Sequence, residues 1–159
     1  MATVLVFDIE TIPDVAGLRR VEGYPDSMSD AEVAAKAMAE RAEKTGSEFL
    51  PLFLQRVVAI SCVIRRTTKE GAPQIKVGTL GNPDDDEKVI VQAFFDLVEK
   101  YTPQLVSWNG SGFDLPVLHY RALAITFKHL VTGRWVRAKK LIAATLSGIT
   151  ILAVITCAI

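Results

Sequence analysis

Cysteine is scarce in this chain: Cys62 and Cys157 are the only two among 159 residues. Two cysteines cannot build a disulfide framework or a cysteine-rich zinc site. Cys62 falls in an apolar run and reads as a buried thiol in a reducing compartment. Histidine is equally sparse, with only His119 and His129. Acidic residues are missing from one whole region, because no Asp or Glu follows Asp114. The net charge of zero therefore hides a split. Residues 1–124 are acidic overall and residues 125–159 carry only basic charge, a pattern that can mark a nucleic-acid or membrane contact. Internal repeats and low-complexity segments are absent. No basic leader precedes the first apolar run, so a cytoplasmic protein is expected. What remains is ample for a core: 50% of the residues are hydrophobic, enough for one domain of this length.

Residues 3–9 read as the first strand, ended by Pro13. A long excursion to about Pro51 contains a helix over 29–44, with Ser29 as its cap and Glu32 as the capping-box partner. Residues 57–64 are a second strand. A polar turn leads to a third near 75–80, in an antiparallel hairpin. Residues 84–101 have the apolar spacing of a helix, with Asp84 and Glu87 as its expected capping box. Residues 105–108 form a short fourth strand, Asn109 to Gly112 a turn, and a further helix begins near Asp114 with Pro116 in its first turn. Strand, insertion, hairpin, helix, strand and helix together predict an α/β domain with a mixed sheet.

Two features carry chemistry. The run Val4-Leu5-Val6-Phe7 reads as a buried central strand, and it leads into Asp8-Ile9-Glu10-Thr11. A buried carboxylate without a partner is costly. Residues i and i+2 of a strand share a face, so Asp8 and Glu10 converge, and a divalent cation is the natural partner of such a pair. A surface-reaching acidic strand end is the plainer alternative. The second feature is Asn109-Gly110-Ser111-Gly112-Phe113-Asp114-Leu115-Pro116. Taken alone, Asp114 reads first as a helix N-cap and Asn109 as a turn former. An ionised carboxylate at a helix start also suits a metal ligand.

Together the two motifs resemble the 3′–5′ exonucleases of the DEDD superfamily. The nearest resemblance is to the predicted exonuclease family related to the proofreading domain of family-B DNA polymerases. Phe7 to Thr11 is similar to the first exonuclease motif. Asn109 to Pro116, continuing into Arg121-Ala122-Leu123, is similar to the second. Phe49-Leu50-Pro51 and Val57 to Ser61 are also similar to that family. The resemblance covers residues 1–124 and implies a ribonuclease H-like fold: a mixed sheet flanked by helices, here with its C-terminal part incomplete. It implies two Mg²⁺ or Mn²⁺ ions that cleave phosphodiester bonds at the 3′ end of nucleic acid, with single-stranded DNA the expected partner. On this resemblance Asp8 would touch both metals, Glu10 one, and Asp114 the second through water. The backbone near Thr11 would hold the terminal nucleotide, and Asn109 and Phe113 would support the second motif.

The family's third motif, Tyr or His followed four residues later by Asp, has no counterpart, since no acid follows His119 or His129. Impaired catalysis is therefore expected. His119 reads as a helix-surface residue. Residues 125–159 form an unmatched tail, basic and then apolar. Residues 141–159 have no charged residue and reach the lower range of a membrane-spanning helix. Three readings of the tail compete: a frame change that replaces the family's C-terminal part, a membrane anchor with its basic flank on the cytoplasmic side, and a buried helix or strand pair. Two other classes are open. A haloacid-dehalogenase-like phosphatase also starts with an acidic strand end before Thr, but Asp84 to Asp86 open a helix and do not make its late acidic pair. A non-catalytic nucleic-acid-binding module is the stronger rival.

Overall fold

The computed structural model describes residues 3–68, 70–82, 84–130 and 151–153. The elements run β1 (Val4–Pro13), α1 (Val15–Glu22), α2 (Asp30–Thr45), a 3-10 turn (Leu52–Leu54), β2 (Gln55–Thr67), β3 (Pro73–Leu80), α3 (Glu87–Tyr101), β4 (Gln104–Ser107), α4 (Asp114–Leu130) and β5 (Ile151–Ala153). The chain divides into two compact units. One comprises residues 1–10 and 57–159, the other residues 11–56.

The first unit is built on a sheet of strand order β3-β2-β1-β4-β5. β2 and β3 are antiparallel, with Ile60 opposite Leu80 and Val63 opposite Val77. β1 and β4 are parallel, Leu5 opposite Leu105, and β5 continues the parallel half beside β4, with Val106 opposite Leu152. Mixed pairing with helical crossovers is the α/β, ribonuclease H-like arrangement expected from the sequence.

The alternation of β1 decides what this sheet buries. Leu5, Phe7 and Ile9 are buried, whereas Val6, Asp8 and Glu10 are exposed on the other face. The strand is therefore half-buried, not buried on both faces as its unbroken apolar run suggests. α3 covers the inner face. Its buried residues Ile90, Val91, Phe94, Phe95 and Val98 recur at helical spacing, and the Phe7 and Phe94 rings stand 4.9 Å apart. The helix ends where Thr102 takes a left-handed φ of 41° and its N–H caps the Val98 carbonyl. Pro103 then blocks continuation.

The start of α3 departs from the expected capping box. The N-cap is Asp86, without a side-chain capping bond. Glu87 is buried instead: its Oε1 accepts from the Val57 backbone N–H at 2.8 Å and from Arg121 Nε at 2.6 Å. Arg121 Nη2 completes a bidentate pair with Glu87 Oε2. The pair ties α3, α4 and the start of the β2 segment together in the core.

The second unit has its own small core of Leu18, Tyr24, Val33, Ala37, Leu50 and Leu54. Asp14 caps α1 by accepting from the Gly17 N–H. The capping box of Ser29 and Glu32 forms as expected. Arg19 staples the α1–α2 turn by donating to the Pro25 and Met28 carbonyls and pairing with Asp30. Tyr24 donates to Glu40 at 2.8 Å. Burial and that acceptor push its pKa to about 12.

Among the described residues, no helix is long and apolar enough to cross a membrane. The three readings of the tail fall largely on residues 131–150 and 154–159, which lie outside the described residues. Residues 151–153 are the β5 strand.

Candidate metal and nucleic-acid site

Asp8 and Glu10 lie on one exposed face of β1, as the strand period requires. Neither is the buried carboxylate that the sequence suggested. Of the three candidate ligands, the buried acid is Asp114, 1% exposed. It is the first residue of α4, not the residue before the helix, and its Oδ1 has no hydrogen-bond partner. A capping role is therefore not what occupies that oxygen.

The β4–α4 junction explains how Asp114 reaches its place. Asn109 adopts a left-handed φ of 55°. Its carbonyl accepts from the N–H groups of both Gly112 and Phe113 at 2.9 Å, which folds the turn back on itself. A Cβ on Gly112 would overlap the Asn109 side-chain oxygen, and one on Gly110 would stand 2.8 Å from Ser107 Cβ. Position 110 therefore requires glycine, whereas a side chain at position 112 would force the Asn109 side chain to swing away. The Gly110 carbonyl then accepts from the Leu115 N–H at 2.9 Å, locking the first turn of α4 against the end of β4.

This lock brings Asp114 to β1. Its pKa is raised above the ordinary 3.8, first by burial and further by the Asp8 carboxylate. The Ser107 hydroxyl, its own backbone and the Ile9 backbone pull it down. Ser107 Oγ is near enough to act on Asp114, yet it is buried without a hydrogen bond of good geometry. Asp8 and Ser107 thus both act on Asp114. Glu10 shares the Asp8 face but does not figure among the groups that act on Asp114. Among the described residues, no group of three or more Asp, Glu, His or Cys side chains is arranged to hold a metal ion. Two converging carboxylates with an orphaned buried oxygen are hard oxygen donors, and they fit a hard divalent cation such as Mg²⁺ or Mn²⁺.

The remaining residues singled out in the sequence have more modest settings. Thr11 donates its hydroxyl to Gln55 Oε1 at 3.1 Å. Phe113 is half-buried. Trp108, at the mouth of the same turn, is 66% exposed. His119 is not a surface residue: it is half-buried, its ring lies 6.3 Å from that of Phe95, and burial pushes its pKa down. Cys62 is only partly buried, and burial pushes its thiol pKa up.

Sequence reasoning missed Ser107 and the Glu87–Arg121 pair. Ser107 had a signal: it lies two residues beyond Leu105 and so on the same buried face, where a polar side chain needs a reason. Nothing local marked Glu87, whose partner is far away in the chain.

A ribonuclease H-like sheet with acids gathered at β1 and the start of α4 defines a class of nucleic-acid-processing folds. Residues 47–140 match the family described as predicted 3′–5′ exonucleases related to the exonuclease domain of PolB, and the chain belongs to that family. The matched stretch contains the Asn109–Asp114 turn and begins after Asp8 and Glu10. The chain is also similar to DNA polymerase 1 of Sulfolobus acidocaldarius, 37% identical over 43 residues, which is 27% of this chain and 5% of that polymerase. A similar match is to DNA polymerase 1 of Sulfurisphaera ohwakuensis, 39% identical over 41 residues, 26% of this chain and 5% of that protein. Only a small part of either polymerase is therefore matched.

Proposed function

We propose that this chain is an exonuclease-like protein that engages the 3′ end of single-stranded DNA. Asp8, Glu10 and Asp114 serve as oxygen ligands for divalent Mg²⁺ or Mn²⁺. The observation that carries the reading is the approach of the Asp8 and Asp114 carboxylates, the latter with a buried and unpaired oxygen. The exposed Asp8 carboxylate disfavours the charge on buried Asp114, and a cation between them removes that penalty. Exonucleases of this kind use divalent cations, which supply an activated water and stabilise the leaving oxygen.

The chain's own residues supply placement. Asp8 and Glu10 present carboxylates from the open face of β1, and Asp114 approaches Asp8 from the start of α4. Asn109 fixes the turn and Phe113 supports it. The backbone at Thr11 receives the terminal nucleotide, and exposed Trp108 offers a ring on which a base can stack. Residues 115–159 offer no further acid to complete the metal site or to accompany a water-positioning Tyr or His, so residues 1–159 by themselves are expected to hydrolyse little. Binding thus outlasts turnover in this chain.

Incubation of the chain with 3′-labelled single-stranded DNA, with and without Mn²⁺, tests this. Metal-dependent binding with little shortening is expected, and Asp8→Ala should abolish the metal dependence. Robust degradation that Asp8→Ala abolishes would remove the claim of impairment. Binding that ignores both metal and Asp8→Ala would remove the site.

A further inference from the structure

Among the described residues β3 is an edge of the sheet, with β2 as its neighbour on one side. Its residues, Pro73–Leu80, face β2 one to one, from Leu80 opposite Ile60 to Pro73 opposite Thr67, and no bulge interrupts that register. Every residue of the strand is exposed or half-exposed. Ile75, Val77 and Thr79 share one face by the strand period. Val77 is 78% exposed and Ile75 63%. Val63, half-buried, stands opposite Val77 on β2. Such a strand presents a row of backbone N–H and C=O groups outward, ready to pair with another strand. Folds usually blunt an edge of this kind with bulges, prolines or charges. Here Pro73 stands at the first position only and Lys76 is the one charge.

The sequence of the strand fits a second copy of itself. Two copies related by a two-fold axis meet through the same patch and pair antiparallel. Side chains directly opposite share a face, so the axis passes through a residue and not between two. Two registers pair nearly the whole strand. An axis through Lys76 sets the two lysines directly opposite, which is repulsive, and brings in Pro73, which has no N–H to donate. An axis through Val77 leaves Pro73 out. It sets Lys76 against Gly78, Ile75 against Thr79, and Val77 against its own counterpart. The charge then meets a position without a side chain, and Val63 and Val77 of both copies form one apolar band. We propose that the chain dimerises edge to edge through β3, antiparallel about Val77. The sheet grows in its own plane. The contact does not rest on the acids of β1, which lie beyond β2.

Sedimentation equilibrium of the full chain over a range of concentrations, beside Val77→Lys, tests this. A monomer–dimer equilibrium is expected. Val77→Lys should be monomeric where the unaltered chain is dimeric, because two cations then oppose each other at the axis. Oxidative cross-linking reads the register without relying on that variant. Val77→Cys should link to its own counterpart across the axis. Ile75→Cys should link no more than the unaltered chain does. Its two copies stand about 14 Å apart along the strands, and a disulfide spans at most about 7 Å between Cα atoms. A chain that stays monomeric at every concentration overturns the proposal. So does a dimer that Val77→Lys leaves intact, or cross-linking through Ile75→Cys as strong as through Val77→Cys.

Discussion

Asp8 and Asp114 come from distant parts of the chain, yet their carboxylates stand close enough for the first to raise the pKa of the second. Burial is the larger cause and the like charge adds to it. A folded-state pKa above the ordinary 3.8 favours the neutral acid. The stability associated with Asp114 is therefore fully present below the ordinary value and is lost as pH rises through the folded one. Replacing Asp114 with Asn should raise metal-free stability at neutral pH, and the advantage should shrink toward about pH 4. Asp8→Asn should lower the Asp114 pKa, while the upward push of burial persists. Carboxyl carbon NMR titration of both variants reads the two effects, and an Asp114 pKa unmoved by Asp8→Asn contradicts the contact.

The Glu87–Arg121 pair is buried, with both side chains under 10% exposed. Removing one partner leaves a charge in the core, so Arg121→Ala should lose about 3–5 kcal/mol. The double change Glu87→Leu with Arg121→Met should lose much less, because no charge is stranded, although the Val57 N–H then lacks its acceptor. Denaturant unfolding of the single and double variants measures this, and equal losses would refute the charge argument.

Tyr24 carries a raised pKa of about 12. Between the ordinary value of 10.0 and the folded value, the unfolded phenol has lost its proton while the folded one keeps it, so stability falls as pH rises through that window. Tyr24→Phe should flatten this alkaline loss and cost the bond to Glu40, about 1 kcal/mol at neutral pH. Thermal melts from neutral to alkaline pH decide it; an unchanged alkaline slope counts against the assignment.

Trp108 exposes most of its ring beside the site, an unusual setting for so large an apolar group. If it stacks a base, Trp108→Ala should weaken single-stranded DNA binding by about 1–3 kcal/mol while leaving the unfolding midpoint unchanged. Fluorescence anisotropy with a labelled oligonucleotide provides the affinity. Equal binding by both proteins would assign Trp108 no part in recognition.

Much of this fold was legible because it is local. The 29–44 helix declared its own cap through Ser29 and Glu32, and the period of α3 followed from its apolar spacing. The acids of β1 share a face because a strand has period two. What escaped the sequence depends on distant partners. Asp84 and Glu87 have capping-box spacing, but the pull of Arg121 from α4 turns Glu87 inward and moves the cap to Asp86. His119 looked like a surface residue until α3 supplied Phe95 as its neighbour. The unbroken run Val4 to Phe7 looked buried on both sides, yet Val6 is 43% exposed. The rule that a buried unpaired carboxylate needs a reason was sound, but it applies to Asp114, whose burial is set by the Gly110–Leu115 lock and not by any pattern along the strand.

Anomalous diffraction from a crystal of the chain soaked in Mn²⁺ tests the account most directly. A peak within coordinating distance of both the Asp8 and Asp114 carboxylates is the expected result. A saturated soak with no peak there, or one held by other side chains alone, would contradict it.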